Sequence, residues 1–389
     1  MRILFLTNAY PDFESSYRGI FIKKMASFLL RDGYEITVVT PKIYKRSDYF
    51  EGQNRIKVYR FPFLSGNKPL IEYKKIPYFR MILYYLTGFF FSIYALIKHK
   101  CHLIHVHWAI PTGLIGVLAG ALLNKPFIVT IHGSDFRLAT SKSSFLRQLF
   151  IFVCRKAKHL ICVSEIMKKE TEQMGIREEN ISVFPMGVDE AFFEAGRRRK
   201  KGLGDRPLTI LSNRNLINIY NISLLIRAVP LILREEPHTR FIIAGEGPER
   251  EDLEMEARSL NIVSSVQFLG RVPHEEMPSL LGQADIYVST SLFDGTSVSL
   301  LEALASGTFP VVTDIPSNRE WIADGENGFL TPTNEEKFLA KRIVDAIRNK
   351  ALLEKSRLRN LQVVEEKTLW RVIMEKVENI YKESLYSKN

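Results

Sequence analysis

The sequence predicts an α/β protein built from two doubly wound, mainly parallel sheets. Three observations carry this expectation. Short apolar runs alternate with stretches of helical period from one end of the chain to the other. The pattern breaks once, at a charged and glycine-bearing segment near the middle, and then restarts. At 389 residues the chain is long enough for two domains of ordinary size.

The elements follow in order. In the first half, apolar runs rich in Ile, Val and Phe predict strands at 2–7, 35–40, 56–61, 103–106, 127–131, 159–163 and 182–184. Helices are expected near 19–31, 78–98, 113–124, 144–157 and 165–174. The run at 2–7 turns polar too soon for a secretory signal and is read as the first strand. The second half predicts strands at 208–211, 240–244, 266–269, 286–289 and 309–312, with helices near 222–235, 248–260, 274–282, 298–305 and 335–348. Between the halves, residues 196–207 (Gly-Arg-Arg-Arg-Lys-Lys-Gly-Leu-Gly-Asp-Arg-Pro) bury nothing and read as a linker. This gives a first domain at 1–195, a second at 207–365, and a C-terminal helix at 366–389 expected to pack back on the first domain. Two such sheets would offer the C-terminal ends of their strands to a shared ligand.

Composition narrows the class. An apolar fraction of 46% supplies a full core, and three cysteines within apolar segments (Cys101, Cys154 and Cys162) suggest reduced, buried thiols rather than a disulfide framework or a metal site. Residues 1–190 hold 27 Lys/Arg against 15 Asp/Glu, and the remainder 27 against 28, so the net charge of +11 belongs to the first half. A one-sided excess suits an anionic partner such as a membrane surface, a phosphorylated lipid or nucleic acid, although a solvated basic surface without a partner has the same signature. No nucleic-acid recognition module accompanies the charge, so nucleic acid is not expected. Residues 81–97 carry no charge and are rich in Tyr and Phe. A membrane span needs about 20 clearly apolar residues. The segment therefore reads as a buried helix, with a helix lying in a membrane interface as the alternative, because Lys68, Lys74, Lys75 and Arg80 stand beside it.

The window from Phe293 to Gly307 is the most informative. The strand expected to end at Ser289 leads into a loop carrying Asp294, Gly295 and Thr296, and a helix then starts near Ser297 and Val298. Free N–H groups at such a start favour an anion. Glu302 follows on that helix about 7.5 Å beyond Ser297. One carboxylate is placed to hold sugar hydroxyls and the other a ribose diol, with phosphates between. Glu302 lies among Leu300, Leu301, Ala303 and Leu304, where a carboxylate without a polar partner is expensive; a solvated helix residue is the structural alternative. His132 closes an apolar strand and is either a core histidine or a contact to the donor sugar. Gly245 and Gly247 are either a phosphate-side loop or a plain strand-to-helix turn.

This window resembles the signature of the family 4 retaining glycosyltransferases of the GT-B fold, in which two acidic residues eight positions apart flank a glycine-rich helix start. The first is usually Glu and is Asp294 here; the second is Glu302. Collinear matches cover about residues 1–345: Thr130-Ile-His-Gly-Ser-Asp135, Phe184-Pro-Met-Gly-Val-Asp189, Gly245-Glu-Gly-Pro248, Phe268-Leu-Gly-Arg-Val272, Asn318-Arg-Glu-Trp321 and Gly325-Glu-Asn-Gly328. The resemblance implies two Rossmann-like domains facing each other across a cleft, a nucleotide-sugar donor with UDP favoured over GDP, and transfer with retention to a glycan or lipid-linked acceptor. It implies no cofactor and no metal. His132, Arg214 and Asp294 would be catalytic. Arg18, Gly19, Tyr220, Gly245, Gly247, Arg271, Val272, Gly295, Thr296, Ser297, Val298 and Glu302 would bind the donor. Two departures stand out. Family members often carry a Lys five residues after the Arg at position 214, but with one inserted residue Tyr220 takes that place, and the usual Gly-Gly loop is reduced to Arg18-Gly19, where Arg18 would restore a cation. The expected location is cytoplasmic, with peripheral attachment at the inner face of the cell membrane left open. A noncatalytic nucleotide-sugar-binding protein and another GT-B enzyme, such as a nucleotide-sugar epimerase, are the alternatives.

Overall fold

The computed structural model describes residues 1–13, 16, 18–53, 55–70, 73, 77–140, 143–199 and 207–386. The chain divides into two compact units, one of Met1–Pro185 with Ile373–Asn389 and one of Met186–Val372.

Unit 1 contains β1 (Arg2–Thr7), α1 (Ile20–Arg31), β2 (Glu35–Lys42), β3 (Phe50–Gln53), β4 (Ile56–Pro62), α2 (Tyr78–Lys98), β5 (Leu103–His107), α3 (Thr112–Leu123), β6 (Phe127–Ile131), α4 (Ser134–Thr140), α5 (Ser144–Lys156), β7 (His159–Cys162), α6 (Glu165–Gln173) and β8 (Ile181–Val183). Its sheet runs β3-β4-β2-β1-β5-β6-β7-β8, parallel except where β3 meets β4. The central strands β1, β5 and β6 are buried on both faces, as continuous apolar runs in a helix-covered parallel sheet must be. The strand order reverses between β1 and β5, so the loops leaving these two strands flank the place where doubly wound sheets bind ligands.

Unit 2 contains α7 (Glu190–Arg198), β9 (Thr209–Ser212), α8 (Ile222–Glu235), β10 (Arg240–Ala244), α9 (Arg250–Ser259), β11 (Val266–Gly270), α10 (Met277–Gln283), β12 (Ile286–Ser289), α11 (Val298–Ala305), β13 (Phe309–Thr313), α12 (Pro316–Arg319), β14 (Phe329–Thr331), α13 (Glu336–Arg348), α14 (Lys350–Lys367) and the start of α15 (Trp370–Tyr386). Its parallel sheet runs β11-β10-β9-β12-β13-β14 and reverses between β9 and β12. Alternation along each strand feeds two cores. Ile210, Ile286, Val288, Phe309 and Val311 face α8, α9 and α13, while Leu211, Tyr287 and Val312 face α7, α10, α11 and α14.

The predicted strands all appear, within two residues at their ends. Two were not anticipated. β3 is a four-residue antiparallel edge strand holding Glu51 and Gly52, and β14 has three residues between Gly328 and Pro332, so neither shows an apolar period. The first part of the expected linker is also structured. Residues 196–198 end α7, whose Phe192 and Phe193 lie in the core of unit 2, so the unit begins at Met186 rather than after the charged run. Residues 200–206 lie outside the described residues. The two passages of the chain between units run side by side: Val188 N–H donates to Thr368 O at 2.8 Å and Trp370 N–H to Val188 O at 3.1 Å.

From Ile373 onward α15 belongs to unit 1. Tyr381 is fully buried there, and its hydroxyl shares a 2.7 Å hydrogen bond with Nδ1 of buried His105. Tyr381→Phe keeps the ring and leaves that nitrogen without its partner. The expected loss is about 1–3 kcal/mol, read as a lower denaturant midpoint with an unchanged slope; an unchanged midpoint would mean that the bond contributes nothing to docking α15.

Candidate active site

The two order reversals gather different groups, one in each unit. In unit 2 the loops leaving β9 and β12 meet at the head of α11. Arg214, on the first loop, is 6% exposed. A guanidinium at that depth requires paired charge. Its Nη2 lies 2.5 Å from Asp294 Oδ2, its Nη1 donates to Ser297 Oγ at 2.7 Å, and its Cζ stacks 3.9 Å above the ring of Tyr220. Asp294 Oδ1 accepts the Gly295 N–H at 3.0 Å. Ser297 caps α11 by accepting the Leu300 N–H at 3.2 Å, which leaves the Val298 and Ser299 N–H groups without an intrahelical acceptor. Five residues singled out in the sequence thus form one cluster with Thr296 beside it.

Glu302, on the second turn of α11, is 7% exposed and accepts a hydrogen bond from His274 Nε2 at 3.0 Å. His274 stands between β11 and α10, packs edge-on against Phe192 and has Asp189 Oδ2 3.8 Å from its Nδ1. The sequence reading missed His274. Its signal was positional, a histidine two residues beyond the matched Arg271-Val272 at a strand end. Val272 packs on the core beneath α11, and Arg271 is exposed. Gly245 and Gly247 are accounted for by packing. A Cβ on Gly245 would stand 2.1 Å from Arg214 O, and one on Gly247 2.1 Å from Leu216 O, so glycine lets the β10–α9 connection press against the loop that carries Arg214. The turn reading of these glycines therefore has a geometric basis.

In unit 1 the corresponding loops carry aromatic and imidazole rings. His132 stacks on His107 with a 3.0 Å Nε2–Nδ1 hydrogen bond, and also contacts Trp108 and Phe21 with centroids 4.5 and 5.2 Å away. His107 stacks in turn on His105 at 4.2 Å. Buried Asp135 ties the loops together by accepting N–H groups from Ala109, His132 and Gly133 at 2.7–3.1 Å. Gly19 precedes α1 at φ +68°, and its missing Cβ allows the Ala9 carbonyl to approach. Arg18, expected to restore a cation, is paired within unit 1. Its Nε and Nη2 grip both oxygens of Asp12 at 2.7 and 3.0 Å, and its Nη1 donates to Asn8 O at 2.6 Å. Its fork is spent on holding its own loop. No group of three or more potential ligand side chains suited to a metal occurs among the described residues.

Two family models match in tandem: one described as Glycosyltransferase Family 4 over residues 19–192, and one described as Glycosyl transferases group 1 over residues 195–360. Among curated relatives, alpha-monoglucosyldiacylglycerol synthase of Streptococcus pneumoniae is 27% identical over 85% of this chain and 75% of its own. The GPI3 subunit of phosphatidylinositol N-acetylglucosaminyltransferase from Saccharomyces cerevisiae is 25% identical over 85% and 72%. Among solved structures, sucrose-phosphate synthase from Thermosynechococcus elongatus superposes with a TM-score of 0.80 over 98% of this chain and 99% of that one, at 17% identity. HepE of Anabaena in complex with UDP gives 0.76 over 98% and 100%, also at 17% identity. At those identities the structural likeness speaks for the fold.

The histidine column has a pH consequence. Burial lowers His132 and His105 to about 3 and holds His107 well below its usual value, while burial raises Asp135 to about 6. Between pH 6.5 and 3 the unfolded chain binds protons that the folded histidines refuse, so stability present above pH 6.5 is lost as pH falls. Asp135 has the opposite sign, because its folded form takes a proton below pH 6 that the unfolded form refuses until about pH 4. Three against one makes the net contribution of this cluster to stability fall as pH falls. His132→Gln should flatten the fall in unfolding free energy by up to about 1.4 kcal/mol per pH unit over that window. Equal pH slopes in urea titrations of both proteins would show that His132 stays charged in the fold.

Proposed function

The chain belongs to the family 4 glycosyltransferases of the GT-B fold, and on that premise we propose that it is a retaining hexosyltransferase that works without a metal. Its donor is a nucleotide-diphosphate sugar, UDP before GDP. Its acceptor is a hydroxyl of a membrane-proximal or lipid-linked glycan, in glycolipid or cell-surface polysaccharide synthesis, with the enzyme cytoplasmic and peripheral to the membrane. The solved neighbour HepE holds UDP, and two relatives are named for lipid glycosylation, which supports both halves of the reading.

The observation that carries it is the Arg214 cluster at the head of α11. As the bond from the anomeric carbon to the diphosphate breaks, negative charge grows on the leaving phosphate, and the sugar becomes oxocarbenium-like. Cations and N–H dipoles already aimed at that charge are the main demand on the protein. Arg214 and the first N–H groups of α11 supply them. Asp294, held by Arg214 and Gly295, receives sugar hydroxyls, and Glu302, oriented by His274, receives the ribose diol. An incoming diphosphate competes with Asp294 for Arg214, so it exchanges one ion pair for another instead of entering beside an unpaired cation. Tyr220, in the place of the family lysine, contributes a stacking face and no charge. Arg214 therefore bears more of the leaving-group stabilisation. In unit 1, His132 has its Nε2 bonded to His107, so it offers only Nδ1 to a ligand.

Arg214→Ala is expected to lower kcat by roughly 10²–10³, with Arg214→Lys recovering part because an ammonium lacks the planar fork. Steady-state assays over UDP-, GDP- and ADP-sugars provide the measurement. Retained kcat in Arg214→Ala would remove the cluster from the reaction, and binding without turnover for every donor would favour a noncatalytic binding protein.

Metal independence is tested separately. Transfer should persist in excess EDTA, and activity lost to the chelator and restored by Mg²⁺ or Mn²⁺ would overturn that part of the mechanism.

A further inference from the structure

The face of α2 turned away from its sheet is apolar along its whole length. Phe79, Ile82, Leu86, Phe90, Tyr94 and Ile97 are 49–79% exposed and recur every three or four residues, so they share one side of the helix. The stripe spans roughly 27 Å at 1.5 Å per residue. A surface helix of a soluble protein normally shows the reverse pattern, with charged residues outward. The opposite side is committed to unit 1. Buried Tyr84 meets Phe61 and Phe63 edge-on and donates to Asn8 Oδ1 at 3.2 Å, Thr87 donates to Pro62 O at 2.8 Å, and Gly88 lies close against Ile115 of α3. A helix held along one side in this way lies on the protein surface and does not cross a bilayer. The aromatic content of the sequence points to Tyr84, Tyr85, Phe89 and Phe90 as the contact residues. Only Phe90 of these is exposed, and Lys74 and Lys75 lie outside the described residues.

We propose that this face of α2 docks unit 1 on an anionic lipid bilayer. The inference rests on the membrane-proximal acceptor proposed above, and it names the surface and the partner. Charge selects the occupant. α2 contains no Asp or Glu, Arg80 and Lys98 stand at opposite ends of the stripe on one rim, and residues 40–100 hold twelve Lys/Arg against three Asp/Glu. A second copy seated symmetrically on the same face would bring these cations together. Anionic headgroups pair with them, while the apolar stripe enters the headgroup–acyl boundary. The patch widens at both sides. Tyr94 adjoins Tyr59, which adjoins exposed Phe50, and α3 exposes Leu118 and Leu122.

The test compares the full chain with the triple variant Ile82→Glu, Leu86→Glu, Phe90→Glu. All three positions are more than half exposed, so the thermal midpoint should be retained. The parent chain is expected to co-sediment with phosphatidylcholine–phosphatidylglycerol vesicles, more weakly with phosphatidylcholine alone, and less as salt rises. The variant should bind the mixed vesicles at least about tenfold more weakly, while its affinity for UDP by calorimetry is unchanged. Docking is overturned if parent and variant sediment alike, if the parent binds neither vesicle, or if the parent is a dimer that the variant converts to monomer. Vesicle binding without transfer to any lipid-linked acceptor would sink the acceptor reading and leave the docking face standing.

Discussion

A guanidinium with 6% exposure persists only where its charge is met, and the arrangement at the head of α11 follows from that requirement at Arg214. Tyr220 comes from its own loop, whereas Asp294 and Ser297 come from far along the chain, on the loop after β12. Because these loops leave the two strands between which the sheet order reverses, one buried ion pair fixes both walls of the ligand position expected for such a sheet. Connections at strand ends are ordinarily the mobile part of an α/β domain. Here the ion pair, the cap of α11 and the close passage allowed by Gly245 and Gly247 remove that freedom. On the proposed reading, such rigidity is what electrostatic catalysis requires, since dipoles that must reorient during the reaction lose most of their value.

Unit 1 solves the same structural problem without a buried cation at its reversal. Asp135 accepts three backbone N–H groups and thereby joins the loops after β5 and β6, and the stacked rings of His105, His107 and His132 fill the space beneath. These rings are held neutral by burial, so the only formal charge in the cluster sits on a carboxylate whose own burial pushes it up to about 6. The one guanidinium in the neighbouring loop, Arg18, is neutralised by Asp12. The guanidinium near unit 1's reversal is therefore internally paired.

Much of this was legible in the residues. Runs such as Arg2–Thr7 and Phe127–Ile131 are central parallel strands because nothing else buries them on both faces, and Glu302 stood out because an acidic group is costly in an apolar window. The short strands β3 and β14 were not legible, because they take their identity from a neighbour and not from a period of their own. Side-chain partnership was equally hidden. Arg18 could be read as a spare cation only while Asp12, six residues away, was not known to face it, and His274 gained meaning only when α11 brought Glu302 within 3.0 Å.

The segment at 78–98 shows why apolar content alone misleads. Its composition is hydrophobic all round, which reads as burial. The packed side combines Tyr84 and Leu96 with the small Gly88, Ser92 and Ala95, and a Cβ on Gly88 would already stand 2.6 Å from Ile115 Cδ1 of α3. Close packing on that side leaves Phe79, Ile82, Leu86, Phe90 and Ile97 outward. The large side chains gain nothing from the fold of unit 1, and an exposed apolar stripe of this length carries an aggregation hazard in water. A bilayer surface removes that hazard and uses the cations at the rim, whereas folding alone does neither.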